Sequence, residues 1–142
     1  MKYPIITDIN FLRKRSEPVE QDRVTSIIKA LEDSLDIKKG VGLSAIQIGL
    51  PLRVGIIRLP NCKFDLWNSK IIEKSYRFRF QGEGCLSIPG IYVDTIRYKE
   101  ILLENGDGRK YYLEGIEAIV CQHEVDHCNG ITMLDRKWRK RR

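Results

Sequence analysis

The strongest constraint on this chain is where its two histidines fall. Both lie in His123-Glu124-Val125-Asp126-His127, within a stretch whose apolar residues Ile116, Ile119 and Val120 recur at helical spacing between Gly115 and Gly130. On a helix, positions i and i+4 project from one face, so both imidazoles reach one point, with Glu124 beside them. That is the donor arrangement of a hydrolytic metal site in which the carboxylate moves protons. The apolar flank puts the histidine side of the helix in a core. A buried helix carries imidazoles and carboxylates only when something partners them.

Two imidazoles leave a ligand to be found. Zinc proteases with this motif often take a glutamate from further downstream, but Glu124 is the last glutamate of the chain. The extended pattern HExxHxxGxxH fits as far as Gly130 and then meets Met133 where a third histidine belongs. Cys128 sits about 100° round the helix from His127, and Cys121 about 200° from His123, both on the wrong face. The ligand comes from upstream, from Cys85 or Cys62. Cys85 lies in Gly82-Glu83-Gly84-Cys85-Leu86-Ser87, where glycines permit close backbone approach, whereas Cys62 follows Pro60-Asn61 in a polar turn. A thiolate with two imidazoles leaves a tetrahedral position open, as catalytic sites do.

The remaining chain frames this helix. Val24, Ile27, Ile28, Leu31 and Leu35 form an amphipathic stripe that predicts a helix over residues 22–37, ended by Gly40 and Gly42. Residues 53–59 and 91–104 read as strands, and Tyr76, Phe78 and Phe80 alternate with Arg77 and Arg79 as in another. Asn105-Gly106-Asp107-Gly108 predicts a tight turn, with Tyr111 to Leu113 returning antiparallel. The sum is an α+β domain with antiparallel sheet. With 42% hydrophobic and 31% charged residues in 142, the composition fits one globular domain and excludes a wholly disordered chain. No apolar run approaches the roughly 18 residues of a membrane span, and the N-terminus lacks the pattern of a secretory signal. Four unevenly spaced cysteines without an export signal imply reduced thiols in a cytosol-like compartment.

Three segments, GVGLSAIQ at residues 40–47, EGCLS at 83–87 and QHEVDH at 122–127, resemble in order and spacing the three motifs of the peptide deformylase family. The likeness spans about residues 4–135 and implies antiparallel sheets wrapped around a central HExxH helix. It implies a catalytic domain over residues 1–135, with residues 136–142 as a basic tail. It further implies Cys85, His123 and His127 as ligands of ferrous iron, replaceable by zinc, nickel or cobalt. Gln47 and the backbone N–H of Leu86 would hold the formyl oxygen. The expected reaction is removal of the N-formyl group from the initiator methionine of nascent chains, releasing formate, with Glu124 accepting and returning the proton. By the same likeness Val41, Gly42, Ile116, Ile119 and Val120 would receive the methionine side chain.

Ser44 stands where many members have alanine and is expected to be a tolerated small-for-small change. Cys128 replaces a usual leucine, and the chain stops at Arg142 without the long C-terminal helix of many bacterial members. Asp126 points away from the metal and is expected to pair structurally with Arg97. The net charge of +6 resides in the tail, where residues 136–142 hold six cations and the remainder balances 19 basic against 19 acidic residues. Such a tail offers one localised contact for an anionic partner, and ribosomal RNA is the expected one. The enzyme is expected to be a cytoplasmic monomer, bacterial or acting in the host cytoplasm of a phage, with organellar placement open and no membrane contact. Two rivals remain, a small zinc endopeptidase and a binding module with a closed Cys-His-His site. Glu124 argues against the second, since a structural site has no use for an acid beside its ligands.

Overall fold

The computed structural model describes residues 1–140. Three helices, α1 (Ile9–Leu12), α2 (Val24–Ser34) and α3 (Ile116–Cys128), accompany six strands. The strands are β1 (Gly42–Ser44), β2 (Val54–Leu59), β3 (Cys62–Trp67), β4 (Lys70–Cys85), β5 (Ile88–Glu104) and β6 (Lys110–Glu114). They form two antiparallel sheets in the orders β1-β2-β3 and β4-β5-β6. Val24, Ile27, Ile28 and Leu31 of α2 pack on Leu43, Val54 and Ile56 of the first sheet. A second cluster joins Ile57 and Leu66 of that sheet to Ile101, Leu103 and Leu113 of the other, with Ala118, Val120, Cys121 and Val125 of α3 between them. Helix α3 thus lies between the sheets, as the resemblance implies.

Ten of the thirteen residues of α3 are buried, so the helix shows no polar face. Most of its polar side chains are partnered by the protein instead, His127 Nδ1 being buried without a partner. Gln122 donates to the Tyr98 and Ala118 carbonyls and accepts the Tyr98 N–H.

Three differences from the sequence reading have physical causes. The α2 helix stops at Ser34, not Ile37, because Asp36 starts a turn that takes the N–H groups of Lys38, Lys39 and Gly40. Leu35 is buried in extended conformation, and so continues the apolar stripe beyond the helix. Cys62 is not in a turn but begins β3, paired with Leu59 across Pro60-Asn61. The segment Gly42-Leu43-Ser44 is a three-residue strand whose register with β2 is Gly42 to Ile57 through Ser44 to Gly55.

The β4–β5 ribbon is irregular where it nears α3. Register slips fall between Phe80 and Glu83 and between Gly84 and Cys85. Gly82 takes φ +72°, and a Cβ on Gly84 would sit 2.8 Å from the Tyr92 ring. Bulges of this kind turn side chains out of the regular alternation. Here they bring Glu83 and Cys85 to α3.

The first part of the basic segment is docked. Arg136 ends a 3-10 turn capped by Thr132, Lys137 bridges to Thr95, and the Trp138 N–H donates to the Asp94 carbonyl. The Arg77 guanidinium lies 4.6 Å from the Trp138 ring centre. Arg141 and Arg142, which belong to the expected tail, fall outside the described residues.

Candidate active site

Helix α3 presents His123 and His127 side by side, ring centres 4.9 Å apart. The bulged end of β4 brings Cys85 to them, with Sγ 3.4 Å from His127 Nε2. One donor atom from each of Cys85, His123 and His127 lies within 4.8 Å of the others. Cys62, Cys121 and Cys128 do not join this group. Burial pushes the Cys121 thiol up and raises Cys128 to about 12, so both are inert packing residues.

The two rings are driven in opposite directions. Burial, with the His123 charge close by, holds His127 well below its ordinary value, so this ring is neutral and ready to ligate. Burial also opposes the His123 charge, but the Cys85 sulfur and the Glu83 carboxylate outweigh it and raise His123 well above the usual value. Glu83 Oε2 lies 2.7 Å from His123 Nδ1 and fixes the proton there, leaving Nε2 to face the sulfur and the second ring. Ligation uses the neutral ring, so a bound cation takes the place of the second proton. Two imidazoles and a thiol, converging and held by a carboxylate behind one ring, fit a divalent transition metal.

Glu83 is itself embedded. Arg97 grips it in a bidentate pair at 2.8 and 2.6 Å, and Thr95 donates to it at 2.8 Å. Burial alone would raise Glu83, but Arg97 and His123 hold it well below the carboxylate range. The third Arg97 nitrogen meets Asp126 at 2.7 Å, the pairing expected for Asp126, and Arg136 closes the set with two further bonds to Asp126. Burial works against the Arg97 charge, yet the two carboxylates raise its pKa further.

Glu124 is 3% exposed, and burial raises its pKa. The Ser44 hydroxyl lies 2.9 Å from its Oε1. Gln47 is oriented unambiguously, because its Oε1 accepts the Ser44 N–H at 2.9 Å. Its Nε2 therefore points to Ser87 Oγ at 3.0 Å and the Cys85 sulfur at 3.7 Å.

A cavity of about 790 Å³ opens onto this group. Val41, Gly42, Gln47, Cys85, Leu86, Ile116, Ile119, Val120, His123 and Glu124 all line it, so the expected site residues are together, with His127 buried beneath. Ile116 is 51% exposed at the mouth, whereas Ile119 and Val120 are buried. The sequence reading missed Glu83, Ser87 and Ser44 as site residues. Glu83 carried a signal, an acid two residues before a ligand cysteine when each ligand imidazole needs a partner for its other nitrogen.

The family model for polypeptide deformylase matches residues 3–142. The chain belongs to the polypeptide deformylase family. A peptide deformylase of Aquifex aeolicus is 38% identical over 151 aligned residues, covering 96% of this chain and 89% of that relative. One from Borreliella burgdorferi is 37% identical, covering 89% and 81%. The crystal structure of peptide deformylase from Thermotoga maritima superposes with a TM-score of 0.86 at 33% identity, over 98% of this chain and 99% of that one. Membership selects the deformylase reading over the endopeptidase and the binding module. The chain is a hydrolase that removes the formyl group from nascent peptides.

Proposed function

We propose that Cys85, His123 and His127 hold the metal, ferrous iron in cells with zinc, nickel or cobalt able to replace it, and that Glu124 moves the protons of deformylation. The observation that carries this reading is the convergence of the three donors within 4.8 Å beside a buried carboxylate in one cavity. When bound, the metal supplies Lewis-acid polarisation of the formyl oxygen and the attacking water. Glu124 takes a proton as that water adds to the formyl carbon. It then delivers the proton to the amide nitrogen as the C–N bond breaks, giving formate and a free amine. A carboxylate raised by burial suits both halves of this task.

Gln47 Nε2 and the Leu86 N–H meet the charge that develops on the formyl oxygen, each such donor being worth about 3 kcal/mol in a transition state. Val41, Gly42, Ile116, Ile119 and Val120 receive the methionine side chain, an apolar wall beside the metal donors. The enzyme works as a cytoplasmic monomer, and the cations after Trp138 are its contact with ribosomal RNA.

The test is formate release from a formyl-Met peptide beside its acetylated and unformylated forms, in the parent and four variants. Cys85→Ala, His123→Ala and His127→Ala lose metal and activity together. Glu124→Ala keeps metal and loses most turnover. Stoichiometric metal in Cys85→Ala, or near-normal turnover in Glu124→Ala, overturns the assignment.

A further inference from the structure

The general base of a hydrolase must present one oxygen to the reacting water, and a free carboxylate rotates. Three features of β1 restrict Glu124. The Ser44 hydroxyl, on a residue 1% exposed, lies 2.9 Å from Glu124 Oε1 and 3.1 Å from the Glu124 carbonyl oxygen. Its one proton has two acceptors on the same residue, and the ionised carboxylate is the stronger. On the other side, a Cβ on Gly42 would sit 2.6 Å from Glu124 Oε2, so this oxygen occupies the space that the missing side chain leaves. Ser44 itself is held in register by pairing with Gly55 in β2. The same Ser44 directs Gln47 through its backbone N–H.

We propose that Ser44 is a positioning residue for Glu124, holding Oε1 so that Oε2 stays turned to the cavity. The inference rests on the role given above to Glu124 and reverses the expectation that serine here is interchangeable with alanine. A hydrogen bond to a charged group is strong enough for its loss to move a rate by about tenfold, and misplacement of a reacting group acts on turnover before binding.

The experiment measures kcat, KM and metal content of fully loaded enzyme on a formyl-Met tripeptide. Ser44→Ala removes one oxygen; Ser44→Cys keeps the shape with a slightly larger atom and replaces a strong donor with a weak one. Both are expected to lose about tenfold in kcat, with KM and metal content unchanged. Parent-like kcat in Ser44→Ala overturns the proposal, as does parent-like kcat in Ser44→Cys, which would make the oxygen a filler of space. A fall in kcat accompanied by matching loss of metal or rise in KM also overturns it, because the role is then structural. If Ser44→Ala does not fold, Ser44→Cys decides alone by the same criteria. Glu124→Ala run alongside separates the failures, since retained turnover there removes the role of Glu124 itself.

Discussion

Replacing Arg97 with leucine tests whether the buried ion set holds the fold. Arg97 is 2% exposed, and its partners Glu83 and Asp126 are each 5% exposed. The set balances, with two carboxylates against the guanidiniums of Arg97 and Arg136. Leucine fills much of the volume but leaves both carboxylates buried, Asp126 with Arg136 alone, whose side chain is 38% exposed. Glu83 then keeps only Thr95 and His123. Removing one member of a buried pair typically costs about 3–5 kcal/mol. At about 3 °C per kcal/mol for a domain near this size, Tm should fall by about 9–15 °C. The measurement is thermal unfolding at saturating metal, so that altered metal occupancy does not shift Tm through linkage. A denaturant titration should show a lower midpoint at unchanged slope. The internal control is Arg79→Leu. Arg79 meets Asp94 at 2.7 Å, the separation of Arg97 from Asp126, but with side chains 51% and 33% exposed. An exposed pair contributes about 1 kcal/mol or less. Equal losses in the two variants would show that burial is not what makes the Arg97 pair matter.

Three further outcomes follow. In Gly42→Ala the new Cβ meets Glu124 Oε2 at 2.6 Å and Val120 Cγ1 at 3.1 Å, so the carboxylate must swing away; kcat should fall about 100-fold, and unchanged turnover would show that Glu124 moves without consequence. Enzyme loaded with ferrous iron should lose activity in air or peroxide through oxidation of the metal or of Cys85, while nickel or cobalt loading protects it; air-stable ferrous enzyme contradicts the ligand set. Deleting residues 139–142, rather than the whole segment from Arg136, spares the Asp126 partner. It should leave tripeptide turnover intact while weakening salt-sensitive co-sedimentation with ribosomes, and full co-sedimentation at low salt makes this segment a passive end.

The chemistry of the site was legible because it is local. Two imidazoles four residues apart must share a helix face, and the lack of any glutamate after Glu124 excluded one class of third ligand. Asp126, facing away from the ligands, paired with Arg97 as expected. What escaped depends on distant register. Glu83 reaches His123 across 40 positions, and only the slips in β4 turn it inward. Ser44 meets Glu124 across 80 positions from a three-residue strand too short to show an alternation. Cys62 was misplaced for a related reason, since Pro60-Asn61 carries the whole turn and leaves Cys62 to pair.

The burial of α3 on nearly every side also sets how the molecule comes apart. A thirteen-residue helix without a side-chain cap at Gly115 has little stability of its own. Its hydrogen bonds persist because both sheets are in place, and no small opening exposes them. Amides of Val120 to His127 should therefore exchange with solvent deuterium only at the rate set by global unfolding, while those of exposed Gly106 to Arg109 exchange through local opening. Cys85, on β4, meets His123 and His127 only once the sheets enclose the helix, so the three-donor group is completed together with the fold.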